Sequence, residues 1–334
     1  MNSFGRIFRV SIWGESHGIQ IGVSIDGVRA GLPLSAEDFE RDIERRRSGK
    51  KGTTPRKESD RPQIVAGHFQ DHATGAPMTI VFENENTISK DYSNLVNHPR
   101  PSHADRVAQV KYGGWQDYRG GGHFSGRITL PVVAAGVVAK KMLEKLAGEV
   151  AIESEIVELA GVSDRSQFDQ IVEQAVKSCD SVGGVIECRI KGIPTGIGEP
   201  FFDSVESVIA HILFSIPAVK GVEFGAGFES TRKMGSTNND MILSSDGETS
   251  TNNAGGINGG ITNSNEIVVR VALKPTPSIA SEQMTYNTLS GKVEPLVIHG
   301  RHDACIALRT GVVVEAAMAI ALTDLMLCAQ PAIK

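Results

Sequence analysis

From Val312 to Cys328 the chain runs through its longest apolar stretch, broken by Glu315, Thr323 and Asp324. A membrane-spanning helix needs about 20 predominantly apolar residues and tolerates carboxylates poorly. The stretch therefore predicts a helix buried in protein, and 334 residues suffice to bury a large core. Helical patterns recur at 131–147, 165–178 and 203–214, and strand-like runs at 6–13, 19–25, 63–68, 76–82, 184–192 and 265–273. Ser35 followed by acidic residues, with Arg45, Arg46 and Arg47 beyond, predicts a capped helix that stops near Gly49. Strands and helices do not alternate as regular βαβ units, and several strands are joined by short turns. The expected class is α+β, a β-α-β sandwich of antiparallel sheets packed around helices, with residues 1–334 as a single domain.

The 36 glycines follow no period, so they point to loops with unusual dihedrals and close backbone approach. Residues 48–62, SGKKGTTPRKESDRP, are polar and broken by glycine and proline, which predicts an exposed, mobile loop and a candidate lid. Aromatic residues make up only 5% and the net charge is −5, which argues against a nucleic-acid surface. Cys179, Cys188, Cys305 and Cys328 lack the spacing of a disulfide ladder and read as thiols. The first residues lack the apolar core of a signal peptide, so a cytoplasmic location without membrane association is expected.

Chemistry concentrates in three short segments. Gly14-Glu15-Ser16-His17-Gly18 satisfies the G-x-S-x-G pattern of a nucleophile elbow, but the following residues read as a strand and no parallel βα series precedes it. His17 is therefore the expected chemical residue and Ser16 a positioning one. Arg100-Pro101-Ser102-His103-Ala104-Asp105 sets a second histidine between a guanidinium and a carboxylate, a mixture that tunes protonation near neutral pH. Gly300-Arg301-His302-Asp303-Ala304-Cys305 places Arg301 and Asp303 two apart, on one face if extended. Arg45 to Arg47, Arg100, Arg119, Arg127, Arg301 and Arg309 gather around the same segments, which suggests a shared pocket for phosphate or carboxylate groups. Metal-ligand spacings, a Walker A loop and a dinucleotide fingerprint do not occur, so no metal is expected.

These motifs, with YRGGG at 118–122, PTGIGEP at 194–200, NNAGGINGG at 252–260 and LKPTPS at 273–278, occur in an order that resembles the chorismate synthase family along nearly the whole chain. The resemblance implies 1,4-elimination of phosphate from 5-enolpyruvylshikimate 3-phosphate to give chorismate in the shikimate pathway, with reduced FMN required although there is no net redox change. It implies His103 as the acid assisting phosphate departure, His17 as proton donor to reduced flavin, and Asp303 acting with the flavin in taking the substrate proton. Flavin contacts would come from His123, Phe124, Ser125, Gly259, Lys274, Pro275, Thr276, Pro277, Ser278 and Arg301. Arg46, Arg100 and Arg127 would hold phosphate of substrate or NADPH. A homotetramer is implied, with an external flavin reductase or NADPH as the source of electrons. Ser102 stands where the family frequently has glycine. Gly52 stands where some relatives carry an arginine, for which Lys50 or Lys51 is the expected substitute.

Overall fold

The buried helix expected in the apolar run forms and starts earlier than the pattern suggested, at Ala307. In this computed structural model, residues 1–56, 58–87, 92, 94–298 and 302–329 are described. Strands β1 (Ser3–Phe4), β2 (Arg9–Gly14), β3 (Gln20–Asp26), β4 (Gln63–Ala66) and β5 (Met78–Glu83) form one antiparallel sheet in the order β1-β2-β3-β5-β4. Strands β6 (Ala151–Leu159), β7 (Gly184–Lys191), β8 (Val219–Phe224) and β9 (Ile267–Leu273) form a second, ordered β8-β9-β7-β6 and again antiparallel. A separate hairpin joins β10 (Gln283–Asn287) to β11 (Lys292–Leu296).

The helices are α1 (Glu40–Arg46), α2 (Asp105–Lys111), α3 (Thr129–Ala147), α4 (Phe168–Lys177), α5 (Val205–Leu213) and α6 (Ala307–Cys328). Alternation in β3 turns Ile21, Val23 and Ile25 into the core, and α3 packs on this first sheet. Helix α6 packs on β6 and β7 of the second sheet and against α3, so two helices lie between two sheets. This is the expected sandwich. Their crossing is close: a Cβ added at Gly136 would overlap Ala316, so only glycine lets the two backbones approach this far.

The polar residues of α6 explain why its core position is tolerated. Glu315, 1% exposed, accepts from Arg45 Nη1 at 2.7 Å, Lys140 Nζ at 3.2 Å and Ser154 Oγ at 2.7 Å. Asp324 accepts the backbone N–H groups of Arg6, Ile7 and Phe8 at 2.8–2.9 Å. Thr323 donates to the Ala319 carbonyl at 2.7 Å. A buried charge is costly unless paired or hydrogen-bonded: Glu315 is ion-paired, and Asp324 is met by backbone N–H groups. Helix α6 is long and apolar enough to cross a membrane, but 78% of its most apolar window is buried inside the protein.

Ser35 caps as expected, although the helix begins with a 3₁₀ turn over Ala36–Phe39 before α1. Strands β6 and β8, helix α2 and the β10 strand are additions that periodicity did not reveal.

Candidate active site

A cavity of about 760 Å³ opens where the three motif segments meet the 48–62 loop, the turn at 119–127 and residues 274–278. The first wall is the loop between β2 and β3. Asn84 Nδ2 donates to the carbonyls of Glu15 and Gly18 at 3.0 and 2.9 Å, and His123 Nδ1 lies 2.8 Å from the Gly14 carbonyl. Ser16 is buried and its Oγ accepts from Arg56 Nη1 at 3.0 Å. A strand follows it and a guanidinium, not a base, bonds its hydroxyl, which removes the nucleophile-elbow reading. His17 is buried, its ring edge-on to Tyr92 at 5.3 Å and packed against Gly120. A Cβ at Gly120 would lie 2.5 Å from His17 Cδ2, and its φ is +60°, so the RGGG turn is glycine for contact and for conformation.

His103 is held from the side by a carboxylate. Its Nδ1 lies 2.6 Å from Asp105 Oδ1 and 3.0 Å from Arg100 Nη2; the shorter contact to the carboxylate favours the proton on Nδ1, which leaves Nε2 for a ligand. Arg100 grips the same carboxylate through Nε and Nη2, both at 2.7 Å, and donates through Nη1 to Ser278 Oγ at 2.9 Å. Burial works to raise the Asp105 carboxyl, but hydrogen bonds from Arg100 and His103 outweigh it and hold it well below the usual carboxylate range. Burial lowers His103, helped by Arg100 and Lys274 and opposed by Asp105. The residue before it, Ser102, has φ +57°, and its carbonyl accepts from Lys274 Nζ at 2.6 Å.

Asp303 is largely engaged: it accepts from Arg309 Nε at 3.0 Å, Arg309 Nη2 at 2.7 Å and the Thr54 backbone N–H at 3.0 Å. A carboxylate has about four acceptor sites, and the described residues fill three of them. Next to it, His302 lines the cavity with its Nε2 buried and unpartnered. Burial lowers this imidazole to about 4, with Arg100 and His103 adding repulsion.

The expected anion-binding arginines differ in what they have left to offer. Arg127, which lines the cavity, is held by three bonds: Nε donates to Asn84 Oδ1 at 2.9 Å, Nη2 to the Glu83 carbonyl at 3.0 Å, and Nη1 pairs with Asp60. Arg46 donates to Thr129 Oγ1 and the Gly126 carbonyl, and its Nη1 stands 3.7 Å from Asp60. Burial lowers Arg46 to about 9, with Arg309 and Arg127 contributing and Asp60 opposing, so it stays cationic at neutral pH.

The 48–62 segment has no regular secondary structure, as expected, but it is not simply exposed. Gly52, Thr54 and Asp60 are buried. The Gly52 carbonyl accepts from the N–H groups of Ala304 and Cys305 at 3.0 and 3.1 Å. Arg56, paired with Glu58, reaches from this segment to Ser16. Lys51 instead pairs with Glu173 at 3.2 Å on the outer surface, and among the described residues the cation this loop brings to the cavity is Arg56.

Among the expected flavin contacts, His123, Phe124, Ser125, Lys274, Thr276, Pro277 and Ser278 line the cavity. Pro275 packs toward Gly183. Gly259 sits at the tight turn between Ile257–Asn258 and Ile261–Thr262, away from the lining residues. Arg301 lies outside the described residues. Sequence reasoning missed Arg56, Asp60 and His302; the Arg56-x-Glu58 spacing is the signal that was available.

A concave, cationic cavity with a carboxylate-oriented histidine in its wall defines an enzyme for a small anionic substrate. The chorismate synthase family model matches residues 8–327. The chain is 58% identical over 330 residues to a chorismate synthase of Chitinophaga pinensis, covering 99% of this chain and 98% of that protein. It is 44% identical over 353 aligned positions to one from Dehalococcoides mccartyi, covering 98% and 96%. A crystal structure of chorismate synthase superposes with a TM-score of 0.72 at 26% identity, covering 96% of this chain and 92% of the other. The chain belongs to the chorismate synthase family, lyases of the shikimate pathway.

Proposed function

We propose that the 760 Å³ cavity is where 5-enolpyruvylshikimate 3-phosphate loses phosphate, with His103 as the proton donor to the leaving group. The observation that carries this is the Asp105–His103 pairing at 2.6 Å in the cavity wall. Asp105 holds the proton on Nδ1 and stabilises the imidazolium, so that Nε2 can deliver a proton to a phosphate oxygen. The free site, with His103 depressed by burial, favours neutral imidazole. A phosphate dianion beside it reverses that balance and charges the ring as substrate binds. Arg46, Arg56, Arg309 and Lys274 supply positive charge for the carboxylates and phosphate, and burial strengthens each contact. Asp303, with an acceptor site that the described residues leave unfilled, is the group placed to take the proton from carbon, and His17 manages protonation on the flavin side.

The site residues fit reduced FMN. Thr276 Oγ1 and His302 Nε2 are buried in this wall without hydrogen-bond partners, each an unsatisfied group worth about 1–3 kcal/mol. A ligand with ring carbonyls and N–H groups would satisfy them. Lys274, Ser278, Ser125 and Phe124 supply the rest of that wall. When bound, reduced FMN lends electron density to the breaking C–O bond and recovers it, which is why the reaction needs it without net redox change. The same reading includes one domain over 1–334, the 48–62 loop as a lid, a cytoplasmic homotetramer, and electrons from an external flavin reductase or from NADPH.

The test is anaerobic phosphate release from 5-enolpyruvylshikimate 3-phosphate with chemically reduced FMN. Replacing His103 by alanine is expected to slow turnover by roughly 10² to 10⁴. Flavin-bound wild type that releases no phosphate overturns the reading, and a fully active His103→Ala protein overturns the acid assignment.

A further inference from the structure

Among the described residues His103, His123, His211 and His302 line the cavity, and His103 and His302 differ in their surroundings. His103 has a carboxylate, Asp105, on its Nδ1. His302 has its Nε2 buried and unpartnered among the described residues, and the neighbouring Asp303 is committed to Arg309 and Thr54. Burial and the repulsion from Arg100 and His103 outweigh Asp303, which favours the charged form of this imidazole.

We propose that His302 is a flavin-contacting residue, its Nε2 making one hydrogen bond to the carbonyl and N–H edge of the isoalloxazine ring. The proposal rests on the flavin reading above. In a neutral imidazole Nε2 is either an N–H donor or a lone-pair acceptor according to the tautomer, and the uncharged ring edge offers a carbonyl for the first and an N–H for the second. A phosphate or carboxylate has better partners in the same cavity, the guanidiniums of Arg46 and Arg309. The charge state agrees: burial, with Arg100 and His103 nearby, keeps His302 neutral down to about 4. His302 therefore does not duplicate the proton donor beside it. It orients the ring beside which His103 and Asp303 act on the substrate.

The experiment is a titration of apoprotein with oxidised FMN, followed by flavin fluorescence, for wild type, His302→Ala and His302→Gln. Thermal midpoints are recorded with and without FMN, and a parallel titration uses 5-enolpyruvylshikimate 3-phosphate. Losing one hydrogen bond to a buried group is expected to weaken FMN binding by roughly tenfold in His302→Ala. His302→Gln, which keeps a donor and an acceptor, should recover most of that loss. The midpoint of apo His302→Ala should stay near that of apo wild type, because no protein partner is lost, while its FMN-induced rise shrinks. Equal FMN affinity in wild type and His302→Ala overturns the proposal, as does a loss confined to the substrate titration. A midpoint that collapses in both variants without FMN assigns His302 a structural role and also overturns it. Wild type that binds no FMN overturns the flavin reading itself.

Discussion

Replacing Asp105 by asparagine separates two jobs that one carboxylate performs. It stabilises the His103 imidazolium at 2.6 Å and neutralises Arg100, whose side chain is 3% exposed. A charge-assisted hydrogen bond is worth about 1.5–3 kcal/mol against roughly 1 for a neutral one. The amide therefore forfeits about 0.5–2 kcal/mol of imidazolium stabilisation, which lowers His103 by about one pH unit. By the same figure turnover falls roughly 2- to 30-fold. Arg100 keeps Ser278 but loses its carboxylate, and breaking a buried pair costs about 3–5 kcal/mol. The assay is anaerobic phosphate release against pH with saturating reduced FMN, alongside thermal melts.

The signs follow from the direction of each shift. A proton donor must be protonated, so turnover is lost as pH rises through its value in the complex. In Asp105→Asn that limb should move about one unit toward acid. The Asp105 carboxyl is depressed in the folded protein, so its stabilisation is present above the unfolded value near 4 and lost as pH falls through the folded one. The melting difference between the two proteins should thus be constant from about pH 5 to 8 and shrink below about pH 4. If the alkaline limb stays in place while the melting temperature drops, Asp105 only braces Arg100 and the acid mechanism argued here is wrong.

Two substitutions test the backbone arguments. Ser102 holds φ +57° without being glycine, so Ser102→Gly should relieve about 1 kcal/mol and raise the melting temperature by roughly 2 °C. A lower melting temperature would show that the serine side chain contributes more than the strain. Gly136→Ala forces a methyl group into Ala316 at the crossing of α3 and α6; it should destabilise by about 1–3 kcal/mol, read as a shift of the urea midpoint, and an unchanged midpoint would refute the close approach.

The parts of the fold that could be read from the sequence were those whose burial leaves a periodic trace. Helices α3 and α6, and the strands flanking Ser16 and His17, are apolar enough to show it. Strand β6 was hidden because Glu153, Glu155 and Glu158 occupy an edge strand, where one face meets solvent and strand propensity is weak evidence. In the site, His103 and Asp105 lie two residues apart, so their partnership was written in one short segment. Arg56 and Asp60 were not legible as site residues. Their loop reads as polar and mobile because their partners, Ser16, Arg46 and Arg127, come from distant parts of the chain. His302 was overlooked for the opposite reason: an Nε2 with no hydrogen-bond partner among the described residues leaves no pairing for a sequence to display.

The grip of Asp324 on the backbone of Arg6, Ile7 and Phe8 joins groups up to 318 residues apart. On a ribosome adding about 5–20 residues per second, the segment leading into the first sheet waits tens of seconds for the carboxylate that clamps it. During that interval its amide groups face water or other chains. Final closure of the first sheet's edge is therefore a late, non-local event in biosynthesis, and a nascent chain stalled before α6 would expose an unclamped leading segment.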